Sequence, residues 1–95
     1  MRITEEQAQF FKRKIKAILP LANIYLFGSR TDQGRKGGDI DILVIGERRL
    51  SGQEKRDIKI AFYRRFGEQQ VDIISYGPNE ISDFQNLMLE EAVEL

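Results

Sequence analysis

The stretch LFGSRTDQGRKGGDIDILVIG, residues 26–46, places two aspartates inside the most apolar run of the chain. Ile40, Ile42, Leu43, Val44 and Ile45 read as a core strand, with Asp39 and Asp41 at its head. Residues two apart in a strand share a face and lie ~6.6–6.8 Å apart along the chain. Asp39 and Asp41 are therefore expected on one face, Ile40 and Ile42 on the other. Two carboxylates held together against an apolar sheet repel each other and lose hydration. A divalent cation between them turns that cost into an attraction, which makes both aspartates candidate metal ligands. On its own, Asp-x-Asp reads more simply as a loop cap followed by an ion pair at a sheet edge. The residues around it change the balance.

Upstream, Gly28-Ser29 ends a β-type run, NIYLFG, and opens the polar connection SRTDQGRKGG. A glycine lets a bulky anion approach the backbone, and the Ser29 hydroxyl and following N–H groups can donate to phosphate oxygens. Arg30, Arg35 and Lys36 can add positive charge. Alone, Gly-Ser is an ordinary turn, and no Walker-type phosphate loop occurs in the chain. Downstream, Asp72 interrupts a second apolar strand between Val71 and Ile73. A lone buried Asp is usually a hydrogen-bonded structural residue. In a neighbouring strand it could instead complete a metal site or take a proton from an attacking hydroxyl.

What the chain lacks narrows the chemistry further. Its 95 residues contain no Cys and no His. Disulfides, thiolate catalysis, Ser-His-Asp triads and Cys/His zinc sites are excluded within it. The remaining donors suit hard, oxygen-preferring ions such as Mg²⁺ or Mn²⁺. With 41% hydrophobic and 32% charged residues, the composition is that of an ordinary globular protein. Formal net charge is zero, without the basic excess usual in a dedicated nucleic-acid binder. No apolar run approaches the ~20 residues of a membrane span, and the N-terminus has no signal-peptide pattern. The expectation is one domain, 1–95, in a cytoplasmic protein.

The remaining elements follow from capping and periodicity. Thr4 with Gln7 has capping-box spacing, Ala8, Phe11, Ile15 and Ile18 recur at helical spacing, and Pro20 marks the stop. Ser51 with Glu54 opens a second helix, with Ile58, Ala61, Phe62 and Phe66 on its apolar face and Gly67 as terminator. QQVDIISYG reads as a third strand, and PNEISDFQNLMLEEAVEL as a closing helix. The order is helix, strand, strand, helix, strand, helix: a small α/β or α+β domain with a mixed sheet flanked by helices. Tyr25, Tyr63 and Tyr76 are read as packing residues. Lys12, Arg13, Lys14 and Lys16, and Lys55, Arg56, Lys59, Arg64 and Arg65, are read as solvated helix faces, with contact to nucleic acid or an acidic partner as the alternative.

Taken together, Phe27-Gly28-Ser29, nine residues, Asp39-Ile40-Asp41-Ile42, and a later strand Asp resemble the nucleotidyltransferase superfamily of the DNA polymerase β type. The likeness is strongest over residues 26–44, with residues 71–74 as the third-carboxylate strand. It implies a polymerase β-like fold, nucleotide phosphates on Gly28, Ser29 and Arg30, and two Mg²⁺ ions on the carboxylates. Asp39 and Asp41 would ligate metal, and Asp72 would ligate the second ion and could also act as general base. Only 23 residues follow Asp72, so the chain looks like the minimal nucleotidyltransferase (MNT) subgroup, whose members are commonly encoded beside helical HEPN-domain proteins. That resemblance implies an antitoxin transferring AMP from ATP to a hydroxyl of its protein partner. Two other readings stand beside it: a non-catalytic antitoxin acting by occlusion, and a catalytic subunit for a tRNA or small-molecule acceptor. The apolar residues of the last segment are expected to pack on the sheet, with part available to a partner or a homodimer.

Overall fold

The structure, a computed structural model, describes residues 3–27, 40–80 and 92–95. The elements run α1 (Glu5–Ile18), β1 (Asn23–Phe27), β2 (Ile40–Ile45), α2 (Gly52–Phe66), β3 (Val71–Tyr76) and β4 (Val93–Glu94). Both helices begin at the capping boxes expected. The Thr4 hydroxyl accepts from the Gln7 N–H at 3.1 Å, and the Ser51 hydroxyl from the Glu54 N–H at 3.1 Å. In return the Gln7 and Glu54 side chains accept from the backbone N–H of Thr4 and Ser51. Each box satisfies donors that a helix start leaves without intrahelical partners. Gly67 ends α2 at φ 91°, a conformation that a side chain would strain.

The sheet order is β3-β2-β1-β4. β2 lies between an antiparallel β1 and a parallel β3, so α2 is the crossover that a parallel pair requires. One face is covered by the helices. Ile24, Leu26, Ile40, Ile42, Val44, Val71 and Ile73 pack there with Ala8, Phe11, Ile15, Ile58 and Phe62. Phe10 is buried as well, although it stands beside the expected stripe. Its ring meets Phe11, Phe62 and Phe66 edge-on, with centroids 5.6–5.8 Å apart. Phe11 stacks on Phe62 at 5.0 Å. This aromatic group joins α1 to α2, and its rings bury the largest apolar areas in the core.

The expected closing helix is corrected at its ends. Residues 77–80 form a turn in which the Gly77 N–H donates to Glu80 Oε1 at 2.8 Å. Val93–Glu94 is a strand antiparallel to β1, and the Leu95 N–H donates to the Ile24 carbonyl at 2.9 Å. Residues 81–91, the middle of that expected helix, lie outside the described residues, as does the suggested helical turn after Ser29. Tyr63 is also corrected: it is 55% exposed rather than packed. Among the described residues no helix is long and apolar enough to cross a membrane.

Candidate active site

Alternation along β2 and β3 sorts their side chains between two faces. Ile40, Ile42 and Val44 point to the helices, which leaves Asp41 on the opposite face. The same period puts Val71 and Ile73 in the core and Asp72 on Asp41's face. The parallel register then makes Asp41 and Asp72 direct partners. Hydrogen-bonded strands lie ~4.7–4.9 Å apart, so the two carboxylates rise from neighbouring positions. Both residues are half-buried and fixed at the backbone by the sheet.

The register is secured on both sides of the pair. The Ile40 N–H donates to the Gln70 carbonyl at 2.9 Å, and the Gly46 N–H to the Tyr76 carbonyl at 3.1 Å. A slip of one residue would turn Asp41 and Asp72 into the core and Ile40 and Val71 out of it, so core burial itself holds the carboxylates together. On its other side Asp41 faces Phe27, the last residue of β1. The connection 28–39 therefore leaves and re-enters the sheet at the end that carries the carboxylates. Phe27, valued in the sequence only as the apolar residue before Gly28, forms a row with Asp41 and Asp72 on the site face.

One register step along, Tyr25 pairs with Leu43 on that face and with Glu94 of β4. Burial pushes its phenol above the usual value of 10.0, and the Glu94 carboxylate adds to the effect. Tyr25 is thus a neutral hydroxyl across the physiological range.

The donor set fits a hard divalent ion. Asp41 and Asp72 would offer oxygen ligands from adjacent strands, and the chain has no softer His or Cys donor to compete. Among the described residues no cluster of three or more such donors forms. Asp39, Gly28, Ser29 and Arg30, the other expected site residues, lie outside the described residues. Of the expected constellation, the described residues bring together Asp41 and Asp72.

The same architecture occurs in proteins of known structure. The tri-AMPylated HEPN toxin in complex with its MNT antitoxin from Shewanella oneidensis gives a match with a TM-score of 0.66 at 17% identity. It covers 97% of this chain and 71% of that one. A toxin–antitoxin structure with AMP-PNP gives 0.68 at 18% identity, over 92% of this chain and 70% of the other. A putative nucleotidyltransferase from Sulfolobus solfataricus gives 0.54 at 21% identity, over 93% and 74%. At these identities the likeness is one of fold, and the fold is the polymerase β-like one that the sequence motif implied. No curated protein matches the sequence. The nucleotidyltransferase domain family matches residues 5–94, a span that takes in both strand aspartates, and the chain belongs to that family.

Proposed function

We propose that this chain transfers AMP from ATP to a hydroxyl of a protein acceptor and serves as the antitoxin of a HEPN/MNT pair. The observation that carries the reading is the Asp41–Asp72 register pair, a half-buried dicarboxylate built into a sheet. Support comes from family membership and from two fold relatives, one named as an AMPylated HEPN toxin with its MNT antitoxin, the other holding AMP-PNP.

In this reading Asp39, Asp41 and Asp72 would hold Mg²⁺, which would supply charge neutralisation and Lewis-acid polarisation at the phosphates. The Gly28-Ser29 backbone, the Ser29 hydroxyl and Arg30 bind the phosphates and align the leaving group. Asp72, fixed in β3, accepts the proton of the attacking hydroxyl. The acceptor oxygen forms a bond to the α-phosphorus as the bond to pyrophosphate breaks, and the AMP ester and pyrophosphate are the products.

The test is incubation with α-³²P-ATP and Mg²⁺, with and without the protein encoded next to this one, followed by a denaturing gel. Label on the neighbour, lost in Asp41→Asn and Asp72→Asn, supports the reading. A stable complex in which no protein is labelled refutes the chemistry and leaves occlusion. Label on RNA or a small molecule instead refutes the protein acceptor.

A further inference from the structure

Four large apolar side chains are well exposed among the described residues: Leu21, Ile60, Tyr63 and Val93. Two of them, Ile60 and Tyr63, sit at i and i+3 on α2, a helix whose other exposed positions are almost all charged or amide-bearing. Residues at that spacing are neighbours on a helix surface. With Val71 they form the apolar wall of a groove of about 500 Å³, between the C-terminal half of α2 and the start of β3. Lys59 and Arg64 stand at its rim, and Gln69 and Gln70 close it.

The charged side chains that line this groove, Lys59 and Arg64, are both basic. α1 and α2 carry nine Lys and Arg against four Asp and Glu, in a chain whose net charge is zero. Arg48 and Arg65 pair with Glu54 and Glu6. Lys55, Arg56, Lys59 and Arg64 have no carboxylate within ion-pair distance among the described residues. The groove also lies at the carboxylates' end of the sheet, since Val71 is followed directly by Asp72. Val71 and Asp72 point to opposite faces, so an occupant of the groove lies on the helix side of the sheet, at the same end of β3 as the carboxylates but across the sheet from them.

We propose that this groove docks an acidic segment of the acceptor protein, an inference that rests on the transfer reading above. An apolar side chain of that segment sits between Ile60, Tyr63 and Val71, and flanking carboxylates pair with Lys59 and Arg64. The apolar wall selects a polypeptide over RNA: a phosphate backbone would satisfy the cations but leave Ile60 and Val71 against a polar ligand. A buried aromatic or aliphatic anchor inside a charged rim is the pattern in which a few residues carry most of the binding energy. The charges steer the encounter, and the anchor sets its lifetime.

The probe is a displayed library of random twelve-residue peptides, selected on the full chain without nucleotide or metal. A recovered peptide is then measured by fluorescence anisotropy. The expected consensus is an apolar residue flanked by Asp or Glu. Ile60→Asp and Arg64→Glu, both at exposed positions, should weaken binding by ~tenfold or more with unchanged circular dichroism. Peptide with Lys for its acids should recover affinity for a Lys59→Glu/Arg64→Glu variant. A basic consensus, no binding peptide, or affinity indifferent to both substitutions overturns the proposal. Tighter binding of a single-stranded oligouridylate, lost in the same variants, overturns it in favour of RNA. Because docking is read without nucleotide, it survives or fails apart from the chemistry. Undiminished protein labelling by Ile60→Asp would sink the groove and leave the transferase reading standing.

Discussion

Asp72 makes no ion pair among the described residues, and its register neighbour is another aspartate. Like charges directly opposite in a sheet cost about 0.2–1 kcal/mol. In chelator, Asp72→Asn should therefore unfold at the same temperature as the parent chain or slightly above it. Saturating Mg²⁺ should raise the parent's melting temperature, by the equivalent of about 2.7 kcal/mol at a hundred times Kd, and leave Asp72→Asn nearly unmoved. AMP transfer by the variant should fall by ~10²-fold or more, the scale set by losing one group that stabilises transition-state charge. An equal Mg²⁺ response in both proteins would show that the ion binds elsewhere. This residue was legible because an Asp between Val71 and Ile73 conflicts with its surroundings, and such conflicts mark functional positions. Phe27 was not legible as part of the site, because an apolar residue in a strand satisfies the pattern whichever face it takes.

At the scale of elements, α1 and α2 were readable because each carries its own start signal in four residues. Glu54 shows how much is concentrated there. Its carboxylate accepts from the Ser51 N–H at 2.8 Å and from both Arg48 terminal nitrogens at 2.8 and 2.9 Å. Those bonds, Arg48's first, lower its pKa from 4.5 to about 2. A depressed carboxylate contributes stability above its unfolded pKa and loses it as pH falls through the folded value. The difference in melting temperature between the parent and Glu54→Gln should be full at neutral pH, shrink below 4.5 and vanish near 2. A difference that stays constant through that range would assign the effect to packing. The aromatic contact between the helices should matter more. Phe62 is fully buried and stacked on Phe11, so Phe62→Ala should cost about 3–5 kcal/mol. Against the 5–15 kcal/mol typical of small domains, that should shift the urea midpoint sharply with little change in slope. The end of the chain was misread because AVEL carries neither a helical stripe nor a strand-length alternation. Val93–Glu94 is a strand through its pairing with Tyr25 and Leu26, a contact nearly seventy residues away in sequence.

For the whole molecule, the sheet order β3-β2-β1-β4 follows from pairing between distant segments, and no local signal announces it. Apolar runs identified three strands, but β2 could have been placed at an edge with equal local consistency. Its central position comes from burial on both sides. Ile42, Leu43 and Val44 are all fully buried, the first and third against the helices and Leu43 on the face shared with Asp41. β4 is the opposite case, two exposed residues at the far edge. Stability should therefore fall across the sheet from β2 to β4, and amide hydrogen exchange can measure that gradient. The Ile42, Leu43 and Val44 amides should exchange only through global unfolding, with rates that rise steeply as urea is added. The Leu95 amide, bonded to the Ile24 carbonyl at 2.9 Å, should exchange orders of magnitude faster through local opening, with little urea dependence. The Ile40 amide is the informative one, because its bond to the Gln70 carbonyl holds the register that aligns Asp41 with Asp72. If it exchanges with the β2 core, the carboxylate pair is preorganised by the most stable part of the fold. If it opens locally with Leu95, the alignment of the pair is not secured by the core, and an ion or a docked acceptor would have to complete it.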